Sequence, residues 1–225
     1  MKHNYPRSNI RKKKTKKMLH ILLDLGHAKK TPGKRSPKRE NGDRFYEYLS
    51  NRRIGALVMA KLDALGIPYD LVLDPEVEED KSLKARVATA NEFCKKYGKE
   101  NCLFISLHSN ACGDGETWQD NARGWCIYTT KGVTKSDKAA TMFYEEAEKL
   151  LPKYGMTTRK QMSDGDPDYE ENFYVIYHTI CPAVLLEQLF FTSRVDLNFL
   201  DSALGRDVLS DIVVNGIKRV IEEGL

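Results

Sequence analysis

Short apolar segments alternate with longer amphipathic ones from Leu19 onward, and this alternation limits the possible folds more than any other feature. The short segments have the length and residue types of buried strands, whereas the longer ones repeat apolar residues at helical spacing. Strands are predicted at residues 19–25, 69–73, 102–107, 124–130, 173–177 and 183–186. Helices are predicted at residues 45–65, 80–97 and 136–151, with another before the C-terminus. The pattern predicts an α/β fold with a mixed, mostly parallel sheet of about six strands flanked by helices.

Charge is divided unevenly along the chain. Residues 1–39 contain 14 of the 36 Lys and Arg residues and a single acidic residue, Asp24, so the remainder is net acidic. The densest basic run, RKKKTKK at residues 11–17, precedes the first apolar segment and is typical of a solvated tail. We therefore predict a disordered basic arm at residues 1–18 and one domain at 19–225. The arm is expected to attract the chain to anionic surfaces.

Hydropathy and cysteine usage exclude several classes of protein. The mean hydropathy is −0.53, and no segment has the roughly 20 consecutive apolar residues that a bilayer span needs. The run ILLDL at residues 21–25 is short and contains Asp24, so we predict no signal peptide and synthesis in the cytoplasm. Five scattered cysteines without a CxxC pair favour neither a disulfide framework nor a thiolate zinc site.

Four polar residues occupy positions where an α/β sheet builds its functional site. His27, His108 and Glu187 follow predicted strands, and Glu47 lies in the first turn of the first predicted helix. Two histidines and a carboxylate are the ligand set of a catalytic zinc ion, and a second carboxylate would serve as the general base. The sequence thus contains the residue types that a zinc hydrolase requires.

Each of these residues also has an ordinary structural interpretation. A histidine after a strand is commonly a hydrogen-bonded loop residue, and acidic residues are favoured in the first turn of a helix. Glu187 interrupts the apolar run AVLLEQLFF, where an unpaired carboxylate is costly to bury. Its partner would be either a metal or its bound water, or a core arginine such as Arg86.

Two other motifs are rejected. The loop GHAKKTPGKR resembles a phosphate loop, but its glycines are spaced wrongly and Arg35 replaces the residue that binds magnesium. Asp164, Asp166 and Asp168 resemble the start of a calcium loop, but the required glycine position holds Tyr169. We interpret this acidic turn as a solvated surface loop.

Five ordered segments closely resemble the zinc-dependent N-acetylmuramoyl-L-alanine amidases of the amidase 3 family. They are LLDLGH (22–27), YEYLSNRRIGALV (46–58), LKARVATAN (83–91), FISLHSN (104–110) and PAVLLEQLFF (182–191). The resemblance covers the chain from about Leu19 to its C-terminus and implies one α/β catalytic domain of the zinc exopeptidase kind. Ala28, Lys29 and Lys30 replace small glycines of the family, which puts the width of the cleft there in question.

The resemblance also implies roles for particular residues. His27, Glu47 and His108 correspond to the ligands of one Zn²⁺ per chain, and Glu187 corresponds to the catalytic carboxylate. Three further residues match positions that frame the site in the family, although helix packing and loop hydrogen bonds explain them equally well: Arg86, Asn91 and Asn110.

The expected activity follows from the same resemblance. It is hydrolysis of the peptidoglycan amide between the lactyl group of muramic acid and L-alanine of the stem peptide. With no signal peptide or wall-binding module recognised, we expect a monomeric endolysin of a phage or prophage, released to the cell wall in the periplasm by a separate holin-like pore. Neither nucleic-acid binding nor stable membrane insertion is expected.

Two alternatives and one regulatory expectation remain. The chain would otherwise be another zinc peptidase or carboxypeptidase acting on wall peptides, or a non-catalytic wall-binding protein.

Some family members carry an inhibitory helix after the strand that follows the SxH motif. The short connection between Thr130 and Ser136 leaves no room for one, so we expect activity without an activator.

Overall fold

The computed structural model describes residues 18–225. The predicted basic arm therefore lies outside the described residues except for Met18, and its boundary stays a prediction. The strands of the described part are β1 (His20–Leu25), β2 (Tyr69–Leu71), β3 (Cys102–Asn110), β4 (Cys126–Thr129), β5 (Tyr169–Glu170) and β6 (Ala183–Phe190). Its α-helices are α1 (Glu47–Leu65), α2 (Leu83–Tyr97), α3 (Lys135–Leu150), α4 (Tyr174–Tyr177), α5 (Arg194–Leu200) and α6 (Ala203–Glu223). None of the helices in this range has the length and apolar character to cross a membrane.

All six described strands belong to one sheet, in the order β2-β1-β3-β6-β4-β5. Strands β2, β1, β3 and β6 run parallel to one another. Strand β4 is antiparallel to β6, and β5 is parallel to β4. The predicted single α/β domain with a mixed sheet of six strands is confirmed.

The sheet has an apolar core on each face because its strands alternate their side chains. In β1, Ile21, Leu23 and Leu25 enter the larger core, which also contains residues from α1, α3 and α6. Leu22 faces the smaller core, which includes residues of α2 and α4. Asp24, the next residue on that side, is also buried and begins a polar region toward the end of the strand.

One predicted strand is wrong. Residues 173–177 contain the short helix α4, and the fifth strand is the preceding pair Tyr169–Glu170. Val175 and Ile176 are both buried, whereas Tyr174 and Tyr177 on either side are exposed. Two adjacent buried residues form one face of a single helical turn, and a strand would have placed them on opposite faces.

Two strands extend further than predicted and carry candidate residues within them. Strand β3 continues through Asn110 and β6 through Phe190, so His108 and Glu187 lie inside strands. His108 pairs with Glu187 and Asn110 pairs with Phe190, which leaves β6 one residue longer between these pairs. Leu189 in this bulge has a φ of 69°, in the left-handed region that side chains rarely adopt.

The prediction of a solvated acidic turn at residues 164–168 is wrong for Asp168, although Asp164 is exposed. Asp168 is buried, and its carboxylate accepts a hydrogen bond from the Thr129 hydroxyl on β4. The turn therefore packs against the sheet beside β5. Burial and the neighbouring carboxyl of Asp166 raise the pKa of Asp168 to about 8.

Candidate metal centre

The candidate residues meet where the parallel strands β1, β3 and β6 end. His27 follows β1, while His108 and Glu187 are paired residues of β3 and β6. Glu47 is the first residue of α1, and its backbone N–H donates to the carbonyl of Lys34 at 3.0 Å. The sequence segments are far apart along the chain, but the topology brings their polar residues to one edge of the sheet.

Glu47 lies between the two histidines. Its Oε1 is 3.1 Å from Nδ1 of His108, and its Oε2 is 3.4 Å from Nε2 of His27. The backbone N–H of Ser109 also donates to Oε1 at 3.0 Å, which fixes the carboxylate against β3. One nitrogen from each ring and one oxygen of Glu47 lie within 4.8 Å of one another. Three donor atoms thus converge on one point.

Burial and hydrogen bonding act in opposite directions on this cluster. Burial alone would raise the pKa of Glu47, but hydrogen bonds with His108 and His27 hold that pKa well below its usual range. Burial alone would lower the pKa of His108, but its hydrogen bond with Glu47 and the nearby carboxylates raise it. Glu47 is therefore a carboxylate, as metal ligation requires.

Two backbone features allow the histidines to approach each other. A Cβ atom added to Gly26 would lie 2.6 Å from both ring nitrogens of His108, so only glycine fits at the end of β1. His27 itself has a φ of 64°, a left-handed conformation uncommon for residues other than glycine. Asn51 of α1 donates to the carbonyl of Gly26 at 3.1 Å and holds this turn in place. The left-handed backbone of His27 and the close contact between Gly26 and the His108 ring thus occur at the same site.

Glu187 projects toward the same point from β6 and retains a free oxygen. Its Oε2 is enclosed and has no hydrogen-bond partner among the described residues. Burial raises the pKa of Glu187 to about 8, although the positive charge of protonated His108 opposes the rise. From the sequence, the partner of this carboxylate was either a metal with its bound water or Arg86. The structure excludes a salt bridge with Arg86, because its guanidinium pairs with Asp24 and Asp80.

Arg86 is occupied by two other carboxylates. Its NH1 donates to Oδ1 of Asp24 at 2.5 Å, and its NH2 donates to Oδ1 of Asp80 at 2.5 Å. Ser106 donates to the second oxygen of Asp24 at 2.8 Å. Asp80 Oδ2 in turn lies 3.8 Å from Nδ1 of His27. Arg86 thus frames the site through a buried network that ends at a candidate metal ligand.

Sequence reasoning missed Asp80. Residue 80 was predicted to begin the second helix, but α2 begins at Leu83, with Ser82 as its N-cap. Asp80 lies in the preceding loop, where Thr31 donates to its Oδ2 at 2.6 Å. The conformation of this loop brings Asp80 close to His27. A loop conformation produces no periodic pattern in the sequence, so it could not be predicted from the residues alone.

The other two framing candidates form hydrogen bonds with groups outside the three donor residues. Asn91 joins α2 to the loop before β6, donating to the carbonyl of His178 and accepting from the N–H of Ile180, both at 3.0 Å. Asn110 accepts a hydrogen bond from the N–H of Ala111 at 2.9 Å. The structure thus gives both residues local contacts that hold chain segments in place.

The residues that replace the family's glycines do not narrow the cleft. Ala28 is buried, whereas Lys29 and Lys30 extend outward and pair with Glu78 and Glu79 at 2.5 Å each. These lysines form ion pairs at the surface, outside the cavity that contains the donor atoms.

A cavity of about 320 Å³ opens onto the donor cluster. Its polar wall contains His27, His108, Glu187 and Lys34. The apolar part of its lining includes the exposed side chains of Leu83, Phe173 and Tyr174. A cavity with apolar lining and convergent polar groups has the character of a ligand site.

Comparison with known proteins identifies the family. The sequence profile of the N-acetylmuramoyl-L-alanine amidase family, amidase 3, matches residues 21–219. The chain belongs to this family. The matched range includes every candidate site residue and nearly all of the described fold, so the predicted family is confirmed.

Sequence identity to an individual curated relative is low. The chain is 28% identical over 116 residues to the probable cell wall amidase LytH of Staphylococcus epidermidis, a match that covers 52% of this chain and 34% of LytH. The chain thus spans about a third of the length of this curated relative.

Solved structures of known proteins share the fold. The catalytic domain of CwlV, an N-acetylmuramoyl-L-alanine amidase from Bacillus (Paenibacillus) polymyxa var. colistinus, superposes with a TM-score of 0.70 at 23% identity, covering 91% of this chain and 99% of CwlV. The catalytic domain of the CD27L endolysin targeting Clostridia difficile superposes with a TM-score of 0.62 at 17% identity. The superposition covers 89% of this chain and 97% of that domain.

Proposed function

We propose that the protein is a zinc-dependent N-acetylmuramoyl-L-alanine amidase with His27, Glu47 and His108 as the metal ligands. The donor chemistry fits Zn²⁺, because two imidazoles and a carboxylate are a common catalytic ligand set that leaves one position open. The observation that carries the proposal is the free Oε2 of Glu187, enclosed beside three convergent donor atoms. A bare carboxylate oxygen in that position is otherwise costly.

The proposed substrate is the amide between the lactyl group of muramic acid and L-alanine in peptidoglycan. Support comes from membership of the amidase family and from a cavity large enough for a short peptide. When bound, zinc supplies a Lewis acid that makes water more acidic and polarises the amide carbonyl.

Glu187 supplies the proton transfers that amide hydrolysis needs. A divalent cation held beside Glu187 would favour its ionised form, so that its free Oε2 accepts a proton from the attacking water and then delivers that proton to the nitrogen of the leaving L-alanine. Asp80 orients His27 from the side opposite Glu47, and Arg86 holds Asp80 in place. The Ser109 N–H holds Glu47 in a single orientation. These residues keep the reacting groups in position before substrate arrives.

The deciding experiment combines zinc content with product masses. The purified chain is expected to bind one zinc ion and to release intact stem peptides with an L-alanine amino terminus from peptidoglycan. A chain that releases single C-terminal amino acids instead would be a zinc carboxypeptidase. A chain that binds sacculi without releasing any fragment would be a non-catalytic wall-binding protein. Either result would overturn the proposed activity.

For the biological setting we propose an endolysin made in the cytoplasm and released to the cell wall through a separate pore. The fold shared with the CD27L endolysin catalytic domain supports this setting. Co-expression with a holin is expected to lyse a peptidoglycan-containing host, whereas expression of either protein alone should not. Lysis by the holin alone to the same extent would contradict the role.

A further inference from the structure

The loop between β1 and α1 is rich in basic side chains, and most of them are already paired. Lys29 and Lys30 pair with Glu78 and Glu79, Arg35 and Arg44 both pair with Glu116, and Arg39 pairs with Asp201. Within residues 18–225, Lys34 and Lys38 in this loop form no ion pair. Lys34 is the one that lines the cavity at the donor cluster.

The position of Lys34 is fixed by the backbone. Its carbonyl accepts the N–H of Glu47 at 3.0 Å, so the loop is tied directly to a candidate metal ligand. The next residue, Arg35, forms a β-bridge with Tyr46, and the N–H of Ser36 donates to the carbonyl of Phe45 at 3.0 Å. The exposed Lys34 side chain therefore extends from an anchored point beside the site.

Most other charged groups in the cavity wall are already engaged with one another. Arg86 bridges the carboxylates of Asp24 and Asp80. Glu47 lies between its two histidines, and Glu187 remains next to the donor cluster. The positive charge of Lys34 reaches Glu187 and opposes the rise in its pKa. Arg86 is held by its two carboxylates, so among the described residues Lys34 is the cation of the cavity wall that no ion pair engages.

We propose that Lys34 binds a free carboxylate on the second residue of the stem peptide, next to the L-alanine of the scissile amide, which makes the enzyme selective for acidic stem peptides. This inference rests on the proposed amidase function. Consecutive residues of an extended peptide are about 3.5 Å apart, so such a carboxylate lies near the donor cluster and within reach of a lysine side chain. Lysine suits this role because its compact charge does not require one fixed geometry. The apolar side chains of Leu83, Phe173 and Tyr174 then contact the remainder of the peptide.

The test uses two synthetic MurNAc-tripeptides that differ only at the second residue. One carries a free α-carboxylate there and the other carries the carboxamide. The wild-type protein is expected to cleave the carboxylate form with a kcat/KM about 10-fold to 100-fold higher, as for a hydrogen bond between charged groups. Lys34→Ala should cut this preference to near unity, mainly through KM, and Lys34→Arg should retain most of it.

Lys38→Ala provides the matched control. Lys38 has the same charge, lies in the same loop and also lacks an ion pair, but it lines a different cavity, beside Trp118. This variant should keep the wild-type preference. Calorimetric binding of the two released tripeptides provides a readout independent of turnover, and Lys34→Ala should remove the difference between their affinities.

The outcomes separate this inference from the proposed function. Equal kcat/KM values of the wild-type protein for the two substrates would overturn the role of Lys34 and leave the amidase intact. A parallel loss on both substrates, or a loss of zinc from Lys34→Ala, would also overturn it. Failure of the wild-type protein to cleave either substrate, with no difference in peptide binding, would contradict both proposals. Failure to cleave with a retained binding difference would contradict the amidase alone.

Discussion

Glu187 on β6 lies directly opposite His108 on β3, and the bulge in β6 begins immediately after this pair. The pairing places a carboxylate without a hydrogen-bond partner on Oε2 beside a candidate metal ligand. Strand pairing fixes the relative positions of the two residues more firmly than a flexible loop would.

The first prediction concerns Glu187 itself. Glu187→Gln should retain zinc and the fold but reduce release of stem peptide by about 10³-fold, because general acid–base catalysis contributes on this order. Mass spectrometry of peptidoglycan digests measures the release, and metal analysis measures the zinc. Glu222→Gln, an exposed change on α6, should have wild-type activity. Undiminished release from Glu187→Gln would refute the assignment.

The second prediction concerns Asp80. Asp80→Asn should weaken zinc affinity by roughly 10-fold to 100-fold, since groups that orient a metal-bound histidine commonly contribute this much. Competition with a chromogenic chelator measures the affinity. Glu79→Gln changes the adjacent residue, whose partner is the surface residue Lys30, and should leave affinity unchanged. Equal affinities of the two variants would mean that Asp80 does not position His27.

The third prediction concerns Gly26. Gly26→Ala should displace the His108 ring and abolish tight zinc binding, because the added Cβ would overlap the ring. Gly66→Ala is the comparison: Gly66 is a left-handed cap of α1 with open space around it, so this change should lower stability without affecting the metal. Thermal melting with and without zinc distinguishes them. A zinc-dependent stabilisation retained in Gly26→Ala would contradict the steric argument.

The fourth prediction concerns pH and Asp168. The pKa of Asp168 is about 8 in the folded protein against an ordinary value of 3.8, so the folded state binds the proton more tightly. The contribution of this group to the free energy of unfolding should therefore fall as pH rises from about 4 to about 8. Asp168→Asn should remove this dependence and stabilise the protein at pH 9 by up to about 6 kcal/mol, at about 1.4 kcal/mol for each unit between 3.8 and about 8. Chemical denaturation across pH measures the effect, and the exposed Asp164→Asn should leave the pH profile unchanged.

The fifth prediction concerns regulation. Only residues 130–134 connect β4 to α3, and α3 begins directly after its Thr134 cap. No helix occupies this connection, so the zinc-loaded protein should degrade sacculi without a partner protein. Release of dye from labelled sacculi provides the measurement. A requirement for an added activator would show that another element inhibits the site.

The sequence predicts which residues belong to the site better than it predicts their contacts. Residue types and their positions after strands were sufficient to select His27, His108 and Glu187. Periodicity also located the central strands, because apolar runs such as CLFISL are buried on both faces. The same reasoning selected Glu47 in the first turn of the first helix, and the family resemblance implied which of the four residues are metal ligands and which is the catalytic carboxylate.

Other features depend on tertiary contacts that no local pattern encodes. Asp80 approaches His27 because its loop is held by Thr31 and Arg86, which belong to other segments. The helix at Tyr174–Tyr177 forms where an apolar pair faces the smaller core, although the same residues suit a strand. Asp168 is buried where the hydroxyl of Thr129 on β4 donates a hydrogen bond to its carboxyl group.

The bulge after Glu187 reverses the sidedness of β6. Before it, Leu185 contributes to the smaller core and Leu186 to the larger one; after it, Leu189 and Phe191 enter the larger core. Odd-numbered residues thus change faces part-way along one strand. This inversion lets a single apolar run direct Glu187 into the cavity and still return its last residues to the protein interior. Deleting one residue there would turn the end of the strand inside out, so the fold depends on the length of this segment as well as on its apolar composition.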